Sequence, residues 1–224
     1  MKYGSEFYYF AFLGAPSTGE PWMFQFGGHH LALNVTVFGP NVCFSPMLTG
    51  GQPLRLSHEG KDVYITHEEV VAAQTFMDSL TKDQRKLAIR GDHSIGLLLG
   101  PGQHGRVVDP EGIKGSSLTD VQKELLLGVV AARLGFMNED DYAAKMATVA
   151  AEIGDTHFAW WGPQAPLGAA YFRVTGPSVV LEYSPQNGDD AAGHAHSIYR
   201  DPSNDYGSGW IGIAPATRTA AGES

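Results

Sequence analysis

Strand-like segments occupy both ends of this 224-residue chain, and a helical stretch fills the middle. No linker and no internal repeat separates the zones. The two β zones are therefore expected to share one sheet, with the helices inserted between them. That is an α+β arrangement with a mixed or mostly antiparallel sheet, built as one domain over residues 1–214.

The first zone runs from 7 to 56. Phe7 to Leu13 reads as an aromatic-rich strand. Met23 to Gly27 and His29 to Phe38 read as two more strands, or as one long strand bent at Gly27-Gly28, where paired glycines suggest a bulge. Gly39-Pro40-Asn41 turns the chain into Val42 to Ser45.

The helical zone spans 66–153. Thr66-x-x-Glu69, Thr81-x-x-Gln84 and Thr119-x-x-Gln122 each have the form of a capping box. The helix after Thr119 is expected to turn Val121, Leu125, Val129 and Ala132 to one side and to stop at Gly135. Asn138 caps another, running to Gly154. Between the helix at Thr81 and the helix after Thr119, the glycine-rich stretch 91–117, with His93 and His104, reads as a long loop with the character of a lid.

The second β zone covers 155–213. Its candidate strands are His157 to Trp161, Ala170 to Thr175, Val179 to Tyr183, Gly193 to Arg200 and Trp210 to Ile213, with turns at Gly176-Pro177 and Asn187-Gly188. The segment 215–224 has no large apolar residue and is expected to be a disordered tail.

Composition removes several function classes. The formal charge is −9 and no basic run appears, which argues against nucleic acid. Cys43 is the only cysteine, so an internal disulfide and cysteine-rich metal sites are excluded. It reads as a small hydrophobe. No stretch approaches the length of a membrane span. Phe7 to Ala15 after Lys2 raises a signal peptide, but Glu6 and the aromatic content favour a strand. The expectation is a soluble, cytoplasmic protein acting on a small molecule, with homo-oligomerisation left open. The familiar motifs of zinc proteases, serine hydrolases, phosphate loops and dinucleotide folds are missing.

The chemistry concentrates in histidines. On a strand, His194 and His196 share a face and can grip one metal. His29 and His30 point to opposite faces if their strand is regular, so only one joins a given site, unless a bulge brings both together. At least one of them is expected to pack in the core. Imidazole suits zinc, copper and iron. Glu182 lies in the apolar run Val179 to Tyr183, where an unpaired carboxylate is costly to bury. It is a fourth ligand, a partner of Arg173 or Arg200, a general base, or an outward-facing residue. His157 is a ligand or a plain strand histidine. In the polar run Arg200-Asp201 and Asn204-Asp205-Tyr206-Gly207, Asp201 or Asp205 could orient an imidazole and Arg200 could clamp a carboxylate. The same run also reads as a turn.

The leading expectation is a metal-dependent enzyme, holding a divalent transition metal (zinc, copper or iron) and acting on a small organic substrate, with a lean to hydrolysis. Copper or iron oxidation near Trp160, Trp161 and Tyr199 is an alternative. So is a metal-free acid–base enzyme using Glu182, His194 or His196, and Arg200. The last is a binding protein with an aromatic groove of Trp22, Trp160, Trp161 and Tyr206.

Five segments carry a resemblance. They are Pro21-Trp22 with Phe24-Gln25 and Gly28-His29-His30-Leu31-Ala32-Leu33-Asn34; Phe158-Ala159-Trp160-x-Gly162; Tyr171-Phe172-Arg173-Val174-x-Gly176-Pro177; Leu181-Glu182-Tyr183; and His194-x-His196-Ser197-x-x-Arg200-Asp201-x-x-Asn204-Asp205-Tyr206-Gly207. In this order, from about Tyr9 to Gly207, the chain resembles domain-of-unknown-function family 3500 of bacteria and fungi. The resemblance implies that both histidine clusters belong to one fold and one site. It implies no activity. Family members look longer, with a helical segment ahead of the first strand, so this chain is expected to be a natural short form or a trimmed one.

Overall fold

The computed structural model describes residues 4–186 and 193–211. The segment 215–224, expected as a tail, lies outside them. The strands are β1 (Tyr9–Leu13), β2 (Trp22–Gly27), β3 (Leu31–Phe38), β4 (Asn41–Cys43), β5 (Met47–Gly51), β6 (Arg55–His58), β7 (Lys61–Tyr64), β8 (Ile89–Gly91), β9 (Ile113–Lys114), β10 (His157–Trp161), β11 (Tyr171–Thr175), β12 (Val180–Pro185) and β13 (Ala195–Arg200). The helices are α1 (His67–Ser79), α2 (Lys82–Ala88), α3 (Asp120–Leu134), α4 (Glu139–Ala151) and the short α5 (Ser208–Ile211).

Eleven strands form one sheet in the order β1-β2-β3-β5-β13-β12-β11-β10-β8, with β4 beside β3 and β9 beside β10. Every pairing is antiparallel except β8 with β10. The two chain ends meet where β13 pairs β5, with His196 opposite Gly50. The fold is thus α+β: apart from the short β8 and β9, the sheet is drawn from both ends, and apart from the short α5 the helices come from the stretch between.

The two faces of the sheet differ because side chains alternate along each strand. One face carries Phe158, Phe172, Val174, Leu181 and Tyr183, all buried in the core with α1 and α3. Phe76 of α1 meets Phe158 edge-on at 4.8 Å between ring centres. The other face carries His196, Arg200, Ser184, Glu182, Tyr171 and Arg173. A loop over residues 92–112 lies across this polar face and is strapped to it. Leu98 and Leu99 donate their backbone N–H groups to Glu182, at 2.8 and 2.7 Å. Ser184 Oγ donates to the Ile95 carbonyl at 2.7 Å, and Arg200 Nε to that of Leu99 at 2.7 Å. Buried loop backbone needs such partners. The loop expected around 91–117 is present, but it is pinned along its middle rather than hung free as a lid.

Local signals fared unevenly. The boxes at Thr81/Gln84 and Thr119/Gln122 both form, and their two glutamines also bond each other through both amides at 2.9 Å. The third box does not form. Thr66 has left-handed backbone, φ 60°, and its hydroxyl donates to the Ile65 carbonyl. Glu69 turns inward instead, accepting from Ser197 Oγ of β13. A buried partner outcompetes the helix end. The inward side of α3 is Gln122, Leu126, Val129, Val130, Arg133 and Leu134, whereas Val121 is 71% exposed, so the expected stripe was rotated. Trp210 lies in α5, not in a strand. The hairpin β6–β7 was not anticipated; Glu59 and Gly60, both at positive φ, make its turn. Among the described residues no helix is long and apolar enough to cross a membrane.

Candidate metal centre

Two hairpins deliver the histidines. β2 and β3 are joined through Gly28, His29 and His30, with Gly28 N–H donating to the Leu31 carbonyl at 2.8 Å. His29 and His30 therefore sit in a turn, not on a strand. The expectation that a regular strand sends them to opposite faces is overturned for that reason, as is core packing of either: His29 is exposed and His30 half-buried. Their rings lie 4.3 Å apart, centre to centre. His194 stands just before β13, in the neck of the β12–β13 hairpin, where Gln186 N–H donates to its carbonyl at 2.7 Å. His196 follows on β13.

The four rings converge. His30 Nε2 lies 2.9 Å from His194 Nε2, which lies 3.1 Å from His196 Nε2. One ring nitrogen each from His29, His30 and His194 fall within 4.8 Å of one another. Hydrogen bonding between two imidazoles needs one protonated and one bare nitrogen, and His194 Nε2 faces two partners. A cation takes all the lone pairs at once. Tetrahedral zinc with bonds of about 2.0–2.1 Å holds neighbouring nitrogens about 3.3–3.4 Å apart, close to these spacings.

Gly50 makes the convergence fit. A Cβ there would meet Ala195 O at 2.6 Å, the His196 ring at 2.8 Å and the His30 ring at 3.2 Å. Sequence reasoning missed it, although Gly50-Gly51 repeats the paired-glycine signal seen at Gly27-Gly28. Behind the site, Glu69 and Arg133 anchor β13 and β5. Arg133 Nη2 donates to the carbonyls of Met47 at 3.0 Å and Ser197 at 3.4 Å. Burial pushes the Glu69 carboxyl up, against the pull of Arg133 and Ser197.

Burial and the neighbouring rings favour the neutral form of His30, His194 and His196. Partial burial, then the neighbouring His29 and His194, lower His30 to about 4. Burial, then His194, His30 and His29, lower His196 to about 4. His194 is lowered by burial and His29. Neutral imidazole is the form that binds metal.

The other sequence candidates lie elsewhere. Glu182 is fully buried, and its carboxylate accepts from Leu98, Leu99 and the Tyr171 hydroxyl at 2.5 Å. Arg200 donates to Leu99 O, to Gly100 O at 3.3 Å and to Asp205 Oδ2 at 2.7 Å. Asp201 accepts from Lys145 at 2.7 Å and from Ser203. Asp205 bonds Ser45 Oγ. None of these bonds goes to a histidine; they hold loop, sheet and α4 together. His157 Nδ1 lies 3.1 Å from the Asp155 carbonyl, at the far end of β10. The aromatic groove does not assemble. Trp160 packs in the helix-side core, Trp161 lies on the opposite face beside Arg173, and Tyr206 meets His104.

The model of a protein of unknown function, DUF3500, matches residues 2–208. The chain belongs to this family. Neither a curated protein nor a solved structure matches it. Both hairpins of the DUF3500 chain's histidine cluster fall inside the matched span.

Proposed function

We propose that His29, His30, His194 and His196 hold a divalent transition metal, and that the protein is a metal-dependent enzyme acting on a small organic substrate by hydrolysis. The observation that carries this reading is the gathering of ring nitrogens: those of His29, His30 and His194 lie within 4.8 Å of one another, and His196 Nε2 lies 3.1 Å from His194 Nε2. Zinc fits a set of imidazoles without thiolates, and copper fits the same set. Three nitrogen ligands with a further position toward solvent is the pattern of catalytic zinc, which brings the pKa of bound water down to about 7. Exposed His29 is within reach of the same ion, one of its ring nitrogens lying within 4.8 Å of those of His30 and His194. Glu182 is not needed as a base in this scheme, since its oxygens already face three donors.

Elemental analysis of protein purified without chelator tests the reading. One zinc or copper per chain is expected, falling to trace levels in His194→Ala, with a matched loss of ester or amide hydrolysis. A metal-free wild type that turns over the same substrates would return the choice to acid–base chemistry.

A further inference from the structure

A cavity of about 540 Å³ opens on the same sheet face as the histidines, toward the other ends of the strands. Thr175, Val180 and Arg200 form its floor, side by side on β11, β12 and β13. Residues 104–110 roof it, and residues 202–209 close one end. Arg200 stands four residues beyond His196 on β13, about 13 Å at the usual strand rise. None of His29, His30, His194 and His196 lines it.

The volume is that of a small-molecule site. The walls are largely apolar, with Leu99, Val107, Val108, Pro110, Val180 and Pro202. The charges in the lining nearly cancel. Arg200 pairs with Asp205 at 2.7 Å, and Asp155 with Lys114 at 2.8 Å. Arg106 is different. Its Nη1 donates to the Leu98 carbonyl and to Gln103 Oε1, both neutral, and no carboxylate among the described residues pairs with it. Apolar walls with one uncompensated guanidinium select a particular chemistry. The straps from Glu182 and Arg200 hold the loop, so little ordering is left for a ligand to impose.

We propose that this cavity is a second binding site, for a small organic acid with an apolar body whose carboxylate bonds Arg106. The proposal stands apart from the metal reading.

Titration of 15N-labelled protein with 4-phenylbutyrate, and separately with its neutral amide, tests it by amide chemical shifts. Saturable shifts centred on Val107, Val108 and Val180 are expected with the acid. The amide is expected to bind at least roughly tenfold more weakly, as loss of a charge-assisted pair implies. Arg106→Met should lose that same factor for the acid and leave the amide unchanged, while Arg106→Lys, which keeps the charge, retains most of the binding. Val108→Trp should block both probes. Thermal melts establish that each variant is folded. Absence of saturable shifts at these residues up to about 10 mM, equal affinity for acid and amide, or an unchanged affinity in Arg106→Met would each overturn the proposal.

Discussion

His30 and His194 are 164 positions apart in the chain, yet their Nε2 atoms lie 2.9 Å from each other. Two hairpins from opposite ends of the sequence bring them there, because β5, between β3 and β13, pairs with both.

The first prediction concerns protons. Metal must displace any proton on a ligating nitrogen. His30 and His196, lowered to about 4, are already neutral at pH 6, so they should release almost none. Calorimetric titration with zinc at pH 6, repeated in buffers of different ionisation enthalpy, should give a proton count well below that of imidazoles near 6.5. Release close to one proton per ligand would show that the lowering by burial and neighbouring rings does not exist.

The same lowering makes the metal-free protein sensitive to acid. In the unfolded chain these histidines take up protons near pH 6.5; folded, they do so only near 4. The unfolded state therefore binds more protons between those values, and stability falls as the pH drops through that window. Above about 6.5 this contribution is constant. Urea midpoints measured from pH 7.5 to 4.5 should decline, and His196→Gln should flatten the decline. An equal slope in the variant would place the acid sensitivity elsewhere.

Gly50→Ala should damage the centre without touching a ligand. The new methyl group meets the Ala195 carbonyl oxygen, which belongs to a paired strand and has little room to yield. A loss of roughly 1–3 kcal/mol in stability is expected, as for other overpacked sites, together with weaker metal binding. Denaturant melts and competition with a chromophoric chelator measure the two effects.

Glu182→Gln separates a strap from a ligand. Glutamine has one acceptor oxygen for the amides of Leu98 and Leu99 and the hydroxyl of Tyr171, so a buried donor is left unpaired, at roughly 1–3 kcal/mol. Tryptic cleavage after Arg106 should accelerate as the loop loosens, while the metal content stays at the wild-type level. Loss of metal with an intact loop would restore Glu182 to the metal site.

Some of this was legible in the residues themselves. The zones, most strands and two of the three capping boxes follow from short-range patterns, because alternation and end-capping are decided within a few neighbouring residues. The pairing of His194 with His196 was legible for the same reason. The placement of His29 and His30 was not, since a turn and a bent strand share the Gly27-Gly28 signal.

What the chain alone determined is the kinds of element it forms and the chemistry available to them: imidazoles, carboxylates and a single thiol. Tertiary structure decided which of those groups meet. Glu69 and Glu182 each carry a local signature, a helix start and a strand interior, yet both are claimed by partners more than 80 residues away, Ser197 for the one and Leu98 with Leu99 for the other. Burial is the physical reason. A polar group taken out of water must find a partner, and the fold, not the neighbouring sequence, determines which partner is within reach.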